Sequence, residues 1–330
     1  MEVEALAESL RQEGEVSSVS IPSEAGQPYE FRVKTSPEDW RGTVFYVNPY
    51  TGEYQQTQES SLDGFFMWNF RLHRWLLLDT ETGRPIVGIA TIFFFFISLS
   101  GLVLWFPKKL KWRNMKAGFK IKTSANWKRI NHDLHNTLGF YACIFLVVMT
   151  LTSLCWSFEW YREAGSAVIG TKIFNRGGGP GFTSNENISA EEERSVAEIY
   201  KISSTELAYS GTTMISFPSE ESQLYSIRKY KEDNWSPVTS DQLVIDRDGK
   251  VLNKEIFSEK STNVQIASLI KPIHTGEIFG TFSKIIYFLA CLIATSLPIT
   301  GTIIWWNKRT KKKKSNKGRS GKRKAILEVQ

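Results

Sequence analysis

The chain has 330 residues, with 41 Lys and Arg against 34 Asp and Glu, a net charge of +7. The basic surplus sits in two blocks: nine Lys or Arg and no acid from Lys108 to His132, and eleven from Lys308 onward with Glu328 as the only acid. Acids outnumber bases elsewhere, and cations gathered beside apolar runs are a membrane-topology signal, which argues against a nucleic-acid partner.

Residues 1–66 read as a small α+β module. Val3 to Arg11 favours a helix, Glu30 to Lys34 and Thr43 to Val47 alternate as strands, and Asn48 to Gly52 makes a turn. Residues 67–107 follow as an interfacial segment and a transmembrane helix. The segment MWNFRLHRWLLL from Met67 is amphipathic and aromatic. Pro85 to Pro107 then runs 23 residues without a charge. At about 1.5 Å per residue that run crosses a hydrocarbon core of roughly 30 Å, and lipid forces its backbone to be helical.

Residues 108–131 form a basic loop, predicted to be cytoplasmic. Residues 132–158 form a second span, whose charge-free stretch is Asn136 to Phe158. Residues 159–270 read as a second exterior α+β region. It contains a flexible RGGGPG loop at Arg176, a helix near Ala190–Ile202, strands at Thr212–Phe217, Gln223–Tyr230 and Gln242–Ile245, and a turn at Asp246–Gly249. Its order echoes the first module. Residues 271–307 are again an interfacial segment and a span, with Ile285 to Asn307 free of charge. Residues 308–330 are a basic, lipid-attracting tail, predicted to be cytoplasmic. No signal-peptide pattern opens the chain. Placing residues 1–66 outside therefore requires a further upstream span: three spans here, four in the full protein.

The first and last membrane units repeat one design. His73 precedes Gly101 by 28 positions and Trp105 by 32; His274 precedes Gly301 by 27 and Trp305 by 31. SGLVLW at Ser100 answers TGTIIW at Thr300. Internal repeats of this kind build sites at the repeat interface. Cys143, Cys155 and Cys291 all lie in apolar runs without C-x-x-C or C-x-x-C-H spacing, so neither a disulfide framework, a zinc site nor covalent haem is signalled.

The only histidines are His73, His132, His135 and His274, each beside a span. Interfacial helix caps are one reading. The other is axial ligation, since neutral imidazole suits metals and haem iron. Each face offers two histidines, too few for a zinc site of three or four ligands but enough for a b-type haem. His73 and His274, as repeat equivalents, form the candidate outer pair. His132 and His135 are three apart on one helical face and cannot sandwich one iron. One of them needs a partner from another helix, and an upstream span is the natural donor.

LHRWLLLD at Leu72, SGLVLWFPKK, DLHNTLGFY at Asp133, and IHTGEIFG through ITGTIIWW resemble the PepSY-associated transmembrane helix family. VNPYTGEY at Val47 and VIDRDGKVL at Val244 resemble the turn of PepSY modules. The resemblance implies a bacterial inner-membrane protein, with a helical membrane core and two exterior α+β PepSY-like modules. It implies two b-type haems in the complete protein, with His73, His274 and His135 as axial ligands; His132 matches nothing firm. It implies electron transfer from a cytoplasmic or quinone donor to ferric iron or a ferric siderophore at the periplasmic face, for iron uptake. PepSY units also occur as inhibitory segments of peptidases, so the alternative is a membrane-anchored binding or peptidase-regulating protein.

Overall fold

A computed structural model describes residues 3–36, 42–58, 60–174, 182–185, 188–189, 191–219 and 222–327, with side chains as far as residue 310. The RGGGPG loop and Ala190, where a helix was predicted to start, lie outside the described residues. In chain order the elements are α1 (Val3–Ser9), β1 (Glu15–Ile21), β2 (Tyr29–Lys34), β3 (Thr43–Val47), β4 (Tyr54–Gln56), α2 (Asp63–Trp75) and α3 (Thr80–Trp105). Next come α4 (Trp112–Met115), a 3-10 turn (Lys116–Phe119), α5 (Trp127–Ser157), α6 (Glu159–Ile169) and α7 (Val196–Glu206). The chain ends with β5 (Gly211–Ser216), β6 (Leu224–Lys231), β7 (Asp241–Asp246), β8 (Val251–Glu255), α8 (Thr262–Thr275) and α9 (Gly280–Leu327). These form two compact units. One comprises Met1–His73, Glu163–Pro272 and Glu277–Gly280; the other comprises Arg74–Arg162, Ile273–Gly276 and Thr281–Gln330.

The first unit is built on one antiparallel sheet of eight strands, in the order β4-β3-β2-β1-β5-β6-β7-β8. Each half is a helix followed by four strands, and the halves share this sheet instead of standing as two separate ones. The strands alternate as half-buried strands must. In β2, Phe31 and Val33 turn inward while Glu30 and Arg32 turn to solvent. Leu6, Leu10 and Ile199 are fully buried in the same cluster as Val19, Phe31 and Ile215, so a single core serves both halves. The halves meet where Val19 of β1 lies opposite Ile215 of β5, and the Phe217 amide donates to the Ser17 carbonyl at 2.9 Å. β1 shows no alternation in the sequence, because its serines and a bulge between Val16 and Ser18 interrupt it. The predicted helix near Ala190 begins instead at Val196. There Ser195 and Glu198 form a capping box that satisfies the first free amides.

Among the described residues three helices are long and apolar enough to cross a membrane: α3, α5, and α9 over Gly280–Thr310. In α5 a third of the apolar window (33%) is buried, against 6% in each of the other two, so α5 is the central helix. Ala142 and Leu146 of α5 pack on Ala290 of α9. Trp105, the last residue of α3, stacks on Phe140 of α5 with ring centroids 3.9 Å apart. The helix starts follow local chemistry. Asp79 caps α3 by accepting from the Thr82 amide at 2.8 Å, and Asn126 caps α5 by accepting from the Arg129 amide at 3.1 Å. That second cap explains why α5 starts at Trp127, ahead of the predicted residue 132: charge does not stop a helix, and a cap starts one.

Candidate functional site

The site is built on α5 and lies wholly within the helical unit. His135 stands two turns into α5, half-buried and facing α9. Its Nδ1 lies 2.9 Å from the Thr300 hydroxyl. That hydroxyl is also placed to donate to the carbonyl of Ser296 or Leu297 in its own helix, at 3.1 and 3.2 Å. When it does so it accepts from His135, and in that tautomer Nδ1 carries the proton and the lone pair resides on Nε2. Asn131, buried one turn earlier, donates to the Thr300 carbonyl at 3.1 Å and fixes the same α9 turn. Gly301 completes the niche: a Cβ there would stand 3.2 Å from His135 Cε1, so a side chain would press on the ring.

His274 repeats the arrangement at the other end of α5. It lies in the last turn of α8, half-buried, with Nδ1 3.1 Å from the Met149 carbonyl and 3.0 Å from the Thr152 hydroxyl. A carbonyl can only accept, so this Nδ1 also carries the proton. Thr152, like Thr300, donates to its own helix, to the Val148 carbonyl at 2.8 Å. The Trp156 ring lies 5.1 Å from the imidazole. After His274 the chain reverses at Gly276, at φ +75, with the Ser283 hydroxyl donating to its carbonyl at 2.6 Å. His135 and Thr152 are 17 residues apart on one helix, about 25 Å along the axis. The two niches thus lie toward opposite ends of the 31-residue α5, which at about 46 Å is long enough to cross a bilayer core of about 30 Å and extend beyond it.

The other two histidines are placed differently. His132 is exposed, with Nδ1 3.6 Å from Asp133 Oδ1. His73 is an exposed residue of α2, in the unit that carries the sheet. Among the described residues no group of three or more His, Cys, Asp and Glu could hold a metal ion. In both niches the ring nitrogen that the threonine engages is Nδ1. A protonated Nδ1 held by an acceptor is the usual bonding of an imidazole that ligates through Nε2. The chemistry of this donor set therefore fits the axial ligation of a haem iron.

Thr152, Thr300, Asn131 and the Met149 carbonyl were not among the residues singled out from the sequence. Their only signal was polarity within or beside an apolar run. Asp133 likewise has no sequence signal beyond its polarity. It is 4% exposed, and accepts from Arg129 Nε at 2.8 Å and from the Lys122 amide at 3.3 Å.

A search of curated proteins returned no match. The family model described as the PepSY-associated TM region matches residues 2–308, running through the sheet, all three candidate spans and both histidine niches. The chain belongs to the PepSY-associated TM region family.

Proposed function

We propose that this protein is a b-type haem protein of the bacterial inner membrane that carries electrons outward and reduces ferric iron, presented as a siderophore complex, at the periplasmic face. The observation that carries the reading is the matched pair of niches on α5. In each, the Nδ1 of a half-buried imidazole is held by a threonine on a neighbouring helix, an arrangement that suits ligation through Nε2. The haem supplies one-electron redox chemistry when bound. The chain holds and orients it. His135 would serve the inner site and His274 the outer one; the pairing of His274 with His73 rests on their equivalent places in the sequence repeat. Thr300, Thr152 and the Met149 carbonyl hold the rings, and the apolar faces of α3, α5 and α9 exclude water. Because the two niches are separated by about 25 Å along α5, a haem at each would shorten every electron step relative to a single one. The donor is a cytoplasmic protein or a membrane quinol.

Basic residues flanking the spans support a cytoplasmic C-terminus. A reporter fused after Gln330 is expected to behave as cytoplasmic, and a periplasmic signal overturns the orientation. Purified protein is expected to show a low-spin Soret band. His274→Ala and His73→Ala should each remove the outer haem, and the double variant should cost little more, because ligands of one iron act as a unit. His135→Ala should leave that haem in place, and His132→Ala should matter least. If both His73→Ala and His274→Ala keep an unchanged spectrum at full stoichiometry, the outer pair is wrong. A correctly inserted protein without a Soret band sinks the haem reading and favours a membrane-anchored binding or peptidase-regulating protein.

A further inference from the structure

The loop between α3 and α5 carries nine Lys and Arg from Lys108 to His132 and no acid, and every one of these cations is exposed. A loop that serves only to fix topology by its charge needs no particular conformation. This one is held in a single fold. The Gly118 carbonyl accepts from Thr137 Oγ1 at 3.0 Å and from Trp105 Nε1 at 3.3 Å. The Phe119 carbonyl accepts from the Tyr141 hydroxyl at 3.4 Å, and Phe119 packs edge-on against Trp105 at 4.8 Å. The carboxylate of Asp133 on α5, itself paired with Arg129 one turn earlier, accepts from the Lys122 amide and so ties the loop to the helix. Large apolar side chains stand among the cations. Leu110 is 72% exposed, Trp112 67% and Trp127 63%.

We infer that this folded loop is a docking surface for anionic phospholipid headgroups, with Trp112, Trp127 and Leu110 entering the interface and the surrounding lysines and arginines receiving phosphodiesters. Three observations select lipid over an acidic protein. The exposed apolar residues are interleaved with the cations, the pattern of interfacial segments. They lie within a few residues of the ends of two spans, at Trp105 and Trp127, where headgroups are. The absence of acids from the segment removes every charge that anionic headgroups would repel. The inference requires a membrane-embedded chain but not a haem, so it stands or falls apart from the proposed function.

The test uses the full chain in nanodiscs of phosphatidylcholine with or without phosphatidylglycerol. The readouts are the lipid retained by native mass spectrometry and tryptic protection of the loop. The wild-type protein is expected to retain phosphatidylglycerol over phosphatidylcholine by about tenfold or more, with the loop protected only in anionic discs. Each surface cation contributes about 1 kcal/mol. Combining Lys108→Gln, Lys109→Gln, Lys111→Gln and Arg113→Gln, all at exposed positions, should therefore abolish the preference, while the Arg/Lys exchange of the same positions should retain it. Thr137→Val leaves the charge unchanged but removes the shorter of the two hydrogen bonds to the Gly118 carbonyl, so it should lower the preference several-fold. An unchanged preference in Thr137→Val shows that charge alone suffices and overturns the folded platform. A preference that survives the glutamine set, or disappears only when residues 308–330 are removed, overturns the assignment to this loop. Protection that requires an added acidic protein instead of lipid overturns the choice of partner.

Discussion

At the scale of single residues, the turns that follow the two repeat histidines solve one problem in different ways. Two positions after His274, Gly276 adopts φ +75. A Cβ there would lie 2.5 Å from the Tyr287 ring. Three positions after His73, Leu76 and Leu77 adopt φ +53 and +62 without the glycine that such values favour. A left-handed non-glycine residue costs roughly 1–2 kcal/mol. Gly276→Ala is therefore expected to lower stability by about 2 kcal/mol or more and to displace His274, whereas Leu77→Gly should be neutral or raise stability by about 1 kcal/mol. Gly101, in the repeat position of Gly301, has nothing within 4 Å of a built Cβ. Gly101→Ala should be tolerated and serves as the control. Thermal unfolding of the three variants checks this ordering. A Gly276→Ala protein as stable as Gly101→Ala removes the argument.

At the scale of elements, the β3–β4 and β7–β8 turns occupy equivalent places in the repeat, yet one uses an amide and the other a carboxylate. Asn48 Oδ1 accepts from the Tyr50 amide at 2.9 Å and closes its own turn. Asp246, 2% exposed, accepts from the Ser184 hydroxyl at 2.6 Å and the Asn185 amide at 3.0 Å as well as from the Arg247 amide. It thereby pins a distant segment to the sheet. Burial pushes its pKa up, but these hydrogen bonds and the Arg247 charge outweigh burial and leave it below the usual value. The folded pKa is thus lower than the unfolded value of about 3.9. Its stabilisation is complete above that value and is lost as pH falls through the lower folded pKa. Asp246→Asn is expected to cost about 2 kcal/mol at neutral pH and to flatten the acid limb of the stability profile below about pH 4. Protease sensitivity around Ser184 at a series of pH values reads both effects. A variant with the wild-type acid limb shows that Asp246 is not the responsible group.

At the scale of the whole molecule, the shared core makes the first 58 residues incomplete alone. Removing the second half would leave β1 without β5 and expose Val19, Phe31 and Leu6, all fully buried. It would also create a central-strand edge with no neighbour, which promotes aggregation. Residues 1–58 expressed alone should show no cooperative unfolding and should be rapidly proteolysed. A stable, cooperatively folding fragment would falsify the dependence of one half on the other.

The spans were legible because crossing a bilayer is a one-dimensional property: a charge-free run of sufficient length, bounded by aromatics and cations, declares itself residue by residue. The repeat was legible for the same reason, as a fixed spacing of His, Gly and Trp. Strands β2, β3, β5, β6 and β7 showed their alternation, and β1 did not, because a serine-rich strand with a bulge has no period to read. Only the tertiary structure decided that the two halves share one sheet. Pairing Val19 with Ile215 joins residues far apart in the chain, and nothing near either residue specifies the partner. The same holds for the site. The histidines could be picked out by composition, but what orients them lies 165 residues away for His135 and 122 for His274. Which ring nitrogen keeps its lone pair depends on whether a threonine has already given its proton to its own helix. That is settled by packing between helices, and no local pattern in the sequence carries it.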